Sequence, residues 1–291
     1  MWAGHGYGSD TNALNILYRE RYENGTFSGI STITTDGQDV NKDYRYPALD
    51  FDKNGYRHFI LESINDGGGI ANLWYIQETG GGLQPMVQIN TEDNNGLVSL
   101  SNILIDQSGR VNIAYCIYDI SRNFPMYLKR KPDGGAWTGR ITIYPGIASD
   151  SGARLEIQSD KYDLLFIVHD SSTNSSPHYI AYKTVNANNV VSQRYYLHIM
   201  AANHNGLVTQ IPWSNYPVQD SVRINTPQQF IIVVYIDSDT SHYEVGNLMF
   251  YADTNVILGA PLRTPEMDKY TYNVRGAFNR TKFNSGFNPS V

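Results

Sequence analysis

Three carboxylates recur at one place in the pattern of this chain. Asp119, Asp170 and Asp237 each close a long apolar run (VNIAYCIYD, DLLFIVHD and FIIVVYID), and Asn65 and Asp66 stand near the same place after RHFILES. Glycoside hydrolysis needs two carboxyl groups about 5 to 9 Å apart, one protonated and one ionised. Acids at equivalent repeat positions also cap turns and accept backbone amides, so these three leave hydrolysis and structure both open. A second set pairs ring faces with amides: Tyr44, Tyr46, His204, Asn205, Trp213, Tyr216 and His242. Flat rings and paired hydrogen bonds suit polyols. The histidines at 5, 58, 169, 178, 198, 204 and 242 are scattered without metal-ligand spacing, so neither a metal nor another cofactor is expected. Arg45, Arg122, Arg154 and Arg223 lie near loop ends, where an acidic sugar would need them to converge.

The elements that must position these groups are strands. Short runs rich in Tyr, Ile, Val and Phe alternate with Gly, Asn, Asp and Pro clusters, and helical spacing is missing. The runs repeat. Asp50-Phe51 leads into DKNG and then RHFIL; Ile103-Leu104-Ile105 leads into DQSG and then VNIAYCIY; Leu155 to Gln158 leads through Asp160 into YDLLFIV. The anchoring acid moves from 52 to 106 to 160, two steps of 54. A fourth copy is expected in VRIN (222 to 225) followed by FIIVVYI, and the echo of NGLVS at 95 to 99 in NGLVT at 205 to 209 spans two periods. Each period holds a third strand (NLWYIQE, PMYLKRK, HYIAYKTV, NLMFYAD), a turn and a fourth strand. Four strands per period is the arithmetic of a β-propeller blade.

The expected fold is therefore all-β, a single propeller domain over 1–291 with five blades at about 44–91, 98–145, 152–200, 217–262, and a last blade joining 270–291 to 1–36. In that last blade, LNILYRERYENGTFSGISTIT supplies a third and fourth strand, and GAFNRTKF at 276 to 283 an innermost one. Sharing a blade between the termini protects edges that would otherwise be open.

Composition narrows the partners. A net charge of -6 argues against a charge-driven hold on nucleic acid. The longest apolar run, FIIVVYI, is far short of a membrane-spanning helix, and the first residues lack the regions of a signal peptide. The single Cys116 reads as a buried core thiol.

The blade pattern resembles the BNR or sialidase-like propellers, whose Asp-box lies in the turn between third and fourth strands. KPDGGAW at 131 to 137 resembles a degraded Asp-box in Asp133, Gly135 and Trp137, with the spacing to Trp short by one and Lys131 where Ser leads the motif. Five small blades with Tyr- and Asn-rich loops resemble, within that group, the propeller domain of receptor-binding tail proteins of phages of Gram-positive bacteria.

That resemblance implies a non-catalytic glycan-binding domain for a wall polymer of the teichoic-acid type, located on a virion tail or outside the cell and presented as a trimer. The alternative is a glycoside hydrolase or polysaccharide lyase using Asp119, Asp170 and Asp237, and a protein-binding scaffold is a third class. The tight turns share one face of the propeller. The ligand is expected on the other, at loops 36–46, 200–221 and 237–246, with the insertion at 200–221 and its Trp213 foremost.

Overall fold

A computed structural model of the chain describes residues 2–5, 14–34, 42–65, 71–92, 97–118, 124–146, 150–159, 163–173, 179–199, 205–210, 213–214, 230–238, 243–251 and 273–274. Every regular element among them is a β-strand, and the strands pair into five antiparallel sheets. The first contains β1 (Trp2–His5), β2 (Leu14–Tyr18) and β3 (Ser31–Thr32). The second runs β4 (Lys42–Phe51), β5 (Arg57–Asn65), β6 (Ala71–Thr79), with short β7 (Gly82–Leu83) and β8 (Val87–Gln88) both on β6. The third is β9 (Leu97–Ile105), β10 (Val111–Tyr118), β11 (Met126–Lys131) and β12 (Ile141–Tyr144). The fourth is β13 (Asp150–Ser159), β14 (Leu165–Thr173), β15 (Tyr179–Val185) and β16 (Tyr195–Ile199). In the fifth, β17 (Asn205–Gln210) and β18 (Trp213–Ser214) pair with β19 (Phe230–Ser238), followed by β20 (Tyr243–Tyr251) and β21 (Asn273–Val274).

First strands line up side by side. β4 packs against β9, β9 against β13 and β13 against β17, while β1 and β2 lie against β4. The second and third sheets bury both faces, so their long strands are nearly continuous apolar runs whose alternate residues serve different neighbours. On β10, Val111, Ile113, Tyr115 and Ile117 pack towards the second sheet with Ile60 and Leu73, whereas Ala114 and Cys116 pack towards the fourth with Leu165 and Ile167. Phe59 and Leu61 of β5 face the first sheet, meeting Ile16 and Tyr18. Cys116, the chain's single cysteine, has no exposed surface, as its apolar setting implies.

The repeated acid turns are built alike. Asp52 N–H donates to Tyr56 O at 3.0 Å and Asp106 N–H to Arg110 O at 3.0 Å, while each Asp side chain accepts the N–H four residues on, at 2.9 Å in both cases. The fourth residue of each turn, Gly55 or Gly109, stands at φ +81° or +76°, where a side chain would be strained.

Neighbouring sheets are tied across one repeat. Asp50 Oδ2 accepts Ile105 N–H at 2.6 Å, Glu156 Oε2 accepts Asn102 Nδ2 at 2.6 Å, and Asp163 Oδ1 accepts Gln107 N–H at 2.8 Å. Arg130, 1% exposed, donates from Nε to Asn112 Oδ1 at 2.9 Å and from Nη1 to Asn186 O at 2.6 Å and Asn189 Oδ1 at 2.7 Å. Burial lowers its pKa to about 10.

Two expectations are corrected. LNILY, expected as a third strand with none before it in the chain, is preceded by and paired with β1, Trp2 opposite Leu17. The fifth sheet's first strand is the NGLVT segment itself, Asn205 to Val208 in register with Ser238 to Tyr235 of β19. NGLVS likewise opens β9, so the echo marks two first strands rather than a first strand and a loop. VRIN at 222–225 and GAFNRTKF at 276–283 lie outside the described residues.

Replacing Arg130 tests the inter-sheet ties. Arg130→Met keeps the stem and strips the donors from Asn112 and Asn186, each a buried or half-buried acceptor; a loss of about 2–4 kcal/mol in unfolding free energy is expected from denaturant titration. A loss below about 0.5 kcal/mol would show the ties to be incidental.

Candidate functional site

The first strands of the second to fifth sheets are each interrupted. Pairing of β4 with β5 slips between Arg45 and Ala48, that of β9 with β10 around Leu100 and Ser101, that of β13 with β14 between Gly152 and Leu155, and that of β17 with β19 between Val208 and Gln210. Tyr46, Leu100 and Arg154 stand at steps of 54 along these interruptions. Bulges re-aim side chains, and they gather at rims and sites.

In β4 the effect is visible residue by residue. Simple alternation puts Tyr44 and Tyr46 on one face, yet Tyr44 is 2% exposed and packed with Ile16 and Phe59, while Tyr46 is 64% exposed. The bulge separates them. Tyr44 is thus a core residue, a correction to its reading as a surface aromatic. Tyr46 adopts φ +48°, the left-handed region that costs an L-residue about 1–2 kcal/mol.

Behind Tyr46 lies a charged group on the face of β4 that looks towards the third sheet. Arg45 Nη2 donates to Asp43 Oδ2 at 2.7 Å, and its Nε is buried without a hydrogen-bond partner. Directly across in register from Arg45 is Glu62 of β5, only 1% exposed, whose Oε1 accepts from Ser101 Oγ of the β9 bulge at 3.2 Å. Burial raises the Glu62 carboxyl to about 7, against weaker opposition from the Ser101 hydrogen bonds. An acid that keeps its proton near neutrality is suited to proton donation. Sequence reasoning passed over Glu62 for Asn65 and Asp66. The period itself was the missed signal: Glu62, Cys116 and Asp170 follow one another at steps of 54.

The remaining candidates separate as follows. Asp170 pairs with Ile180 within the fourth sheet, and Asp237 stands opposite Gly206 in the fifth. Asn205 and Trp213 belong to strands, opposite Ser238 and Ile231, so the foremost ligand loop at 200–221 is in part a first strand. Asp119, His204, Tyr216 and His242, with Arg122 and Arg223, lie outside the described residues. Of the proposed set, Tyr46 presents an open ring. Among the described residues no group of three or more His, Cys, Asp or Glu side chains could hold a metal ion.

The opposite end, at the tight turns, holds a small concavity lined by Asp52, Lys53, His58, Gln77, Lys131 and Asp133. Its polar groups largely serve one another: His58 Nδ1 meets Tyr75 Oη at 2.7 Å, Lys131 Nζ donates to Gln77 Oε1 at 3.4 Å, and Lys53 Nζ lies 3.5 Å from Asp133. Burial lowers the His58 pKa despite the neighbouring Asp52.

The architecture is similar to that of solved β-propeller glycoside hydrolases. An α-L-arabinanase of Penicillium chrysogenum complexed with arabinobiose superposes with a TM-score of 0.52 at 12% identity, over 79% of this chain and 66% of that one. A GH93 α-L-arabinofuranosidase of Fusarium graminearum, also complexed with arabinobiose, gives 0.53 at 8% identity over the same shares. At such identities the likeness is one of fold, a β-propeller, and the chain spans 66% of the length of each enzyme. No family model matches the chain, and no curated protein matches it in sequence.

Glu62 gives a stability test with a definite sign. Its carboxyl binds its proton more tightly folded (about 7) than unfolded (4.5), so its contribution is fully present below pH 4.5 and is lost as pH rises through 7. That difference amounts to about 3 kcal/mol. Glu62→Gln is expected to match the native chain near pH 4.5 and to exceed it in unfolding free energy at pH 8; parallel pH profiles for the two would remove Glu62 from the account.

Proposed function

We propose that the chain is a carbohydrate-binding β-propeller of five blades, with the glycan lying over the bulged ends of the first strands and stacking on Tyr46. Tyr46 carries the reading: an exposed ring held in left-handed backbone conformation, next to the Arg45–Asp43 pair. Backbone strain persists where surrounding structure over-determines it, and it clusters at binding and active sites. A flat exposed ring beside charged hydrogen-bonding groups is what a sugar face requires. The likeness of fold to two enzymes holding arabinobiose supports the same ligand class. Completion of the first sheet's blade by the C-terminal residues belongs to this proposal, as does recognition of a Gram-positive wall polymer from a phage tail. A shallow site with a single stacked ring binds weakly, so trimeric presentation would supply avidity.

Hydrolysis is the second reading, and it has support of its own. Both similar folds are glycosidases, and Glu62 offers a proton donor with Asp43 on the same side of its sheet. Glu62 is sealed behind Ser101, so turnover requires the β4 and β9 bulges to part around the substrate.

Both readings meet in one assay, retention on immobilised arabinan or wall teichoic acid with the supernatant analysed for released sugar. Tyr46→Gly relieves the left-handed strain, so its melting temperature is expected to be equal or higher while retention falls about tenfold or more. Undiminished retention would move the glycan away from Tyr46. Sugar release abolished by Glu62→Gln or Asp170→Asn decides for the hydrolase, and retention without release decides for the non-catalytic binder.

A further inference from the structure

Arg45 stands between two carboxylates. It is bonded to one, Asp43, on its own strand, and is the direct cross-strand partner of the other, Glu62. Its Nε is buried and unpartnered, while Asp43 keeps some contact with water, its side chain 15% exposed. Immediately after Arg45 comes the bulge that carries Tyr46. We propose that Glu62, Arg45 and Asp43 form a proton-operated latch beneath Tyr46: with Glu62 neutral Arg45 holds Asp43, and with Glu62 ionised Arg45 crosses to Glu62 and carries the bulge with it.

The physical reason lies in unequal burial. A carboxylate shut away from water with only the Ser101 hydroxyl and backbone amide for company is costly and recruits whatever cation can reach it. Asp43, nearer water, tolerates losing its partner. Among the described residues, the ionisable groups on this side of the gap are Asp43 and Arg45 on β4, Tyr75 on β6, Tyr115 on β10 and Lys129 on β11, while Asp50, His58 and Lys131 face the same gap nearer the tight turns. Lys129 is already engaged, its Nζ 3.1 Å from Glu92, and the tyrosines carry no charge to offer, which leaves Arg45 as the mobile cation. The Glu62 carboxyl changes state near 7, so the latch operates close to neutrality.

Ligand consequences rest on the glycan reading above, whereas the latch itself does not. The backbone amide of Tyr46 is a reporter that needs no ligand. In nitrogen-15 spectra of the whole chain, recorded from about pH 5.5 to about pH 8.5, its resonance is expected to titrate with a midpoint near 7. In Glu62→Gln it should stay at the acidic position throughout. Asp43→Asn, which frees Arg45 in advance, should move the midpoint down by about one unit. A Tyr46 amide that does not titrate in the native chain, or titrates unchanged in Glu62→Gln, overturns the latch. Glycan retention over the same range is measured separately. Retention that weakens through the same midpoint, and loses that dependence in Glu62→Gln, supports the latch as a control on the site; retention independent of pH beside a titrating amide overturns that control. A titrating latch on a chain that retains no glycan upholds the latch and overturns the glycan reading.

Discussion

Hydrogen bonds from a side chain in one sheet to the backbone of the next are the constraint on which the remaining geometry depends. Apolar burial drives the sheets together but has no direction. Asp50 on Ile105, Asp163 on Gln107 and Arg130 on Asn186 each join residues 55 or 56 positions apart, so neighbouring sheets can slide only by leaving buried polar groups unpaired. With that offset fixed, the acid turns fall level with one another and the bulges stand together at the other end. A site assembled from several first strands presupposes this alignment.

The tied gaps are not identical, and their differences follow from single residues. Between the third and fourth sheets Arg130 pairs in register with Asn112 and fills the turn end; between the second and third the corresponding pair is Gln77 and His58. Glutamine does not reach the next turn, and a small concavity is left beside it. Equal repeats of backbone therefore carry unequal chemistry.

Much of this was legible in the chain. The period of 54, the strand class and the DxxG turns follow from spacing and turn residues, because alternation and left-handed glycines leave local marks. The bulges left no such mark. Their extra residue reverses the alternation inside a strand, which is why Tyr44 read as a partner of Tyr46 when one is core and the other surface. The opening strand of the first sheet was missed because WAGH lacks an apolar run of its own. Glu62 escaped notice because an acid within FILES looks like a strand's polar face, and only the packing of a second sheet over it shows that both faces are buried.

Cys116 occupies the repeat slot between Glu62 and Asp170, closed on one side by its own sheet and on the other by the fourth. Being the chain's lone thiol and fully enclosed, it makes the molecule its own clock. A thiol reagent in solution can reach that sulfur only while the third and fourth sheets stand apart, so the labelling rate counts openings of one particular seam. With reagent in excess the rate becomes the opening rate itself; with reagent scarce it becomes the open population. The cohesion of a single inter-sheet gap can thus be timed in the native chain, with no probe introduced.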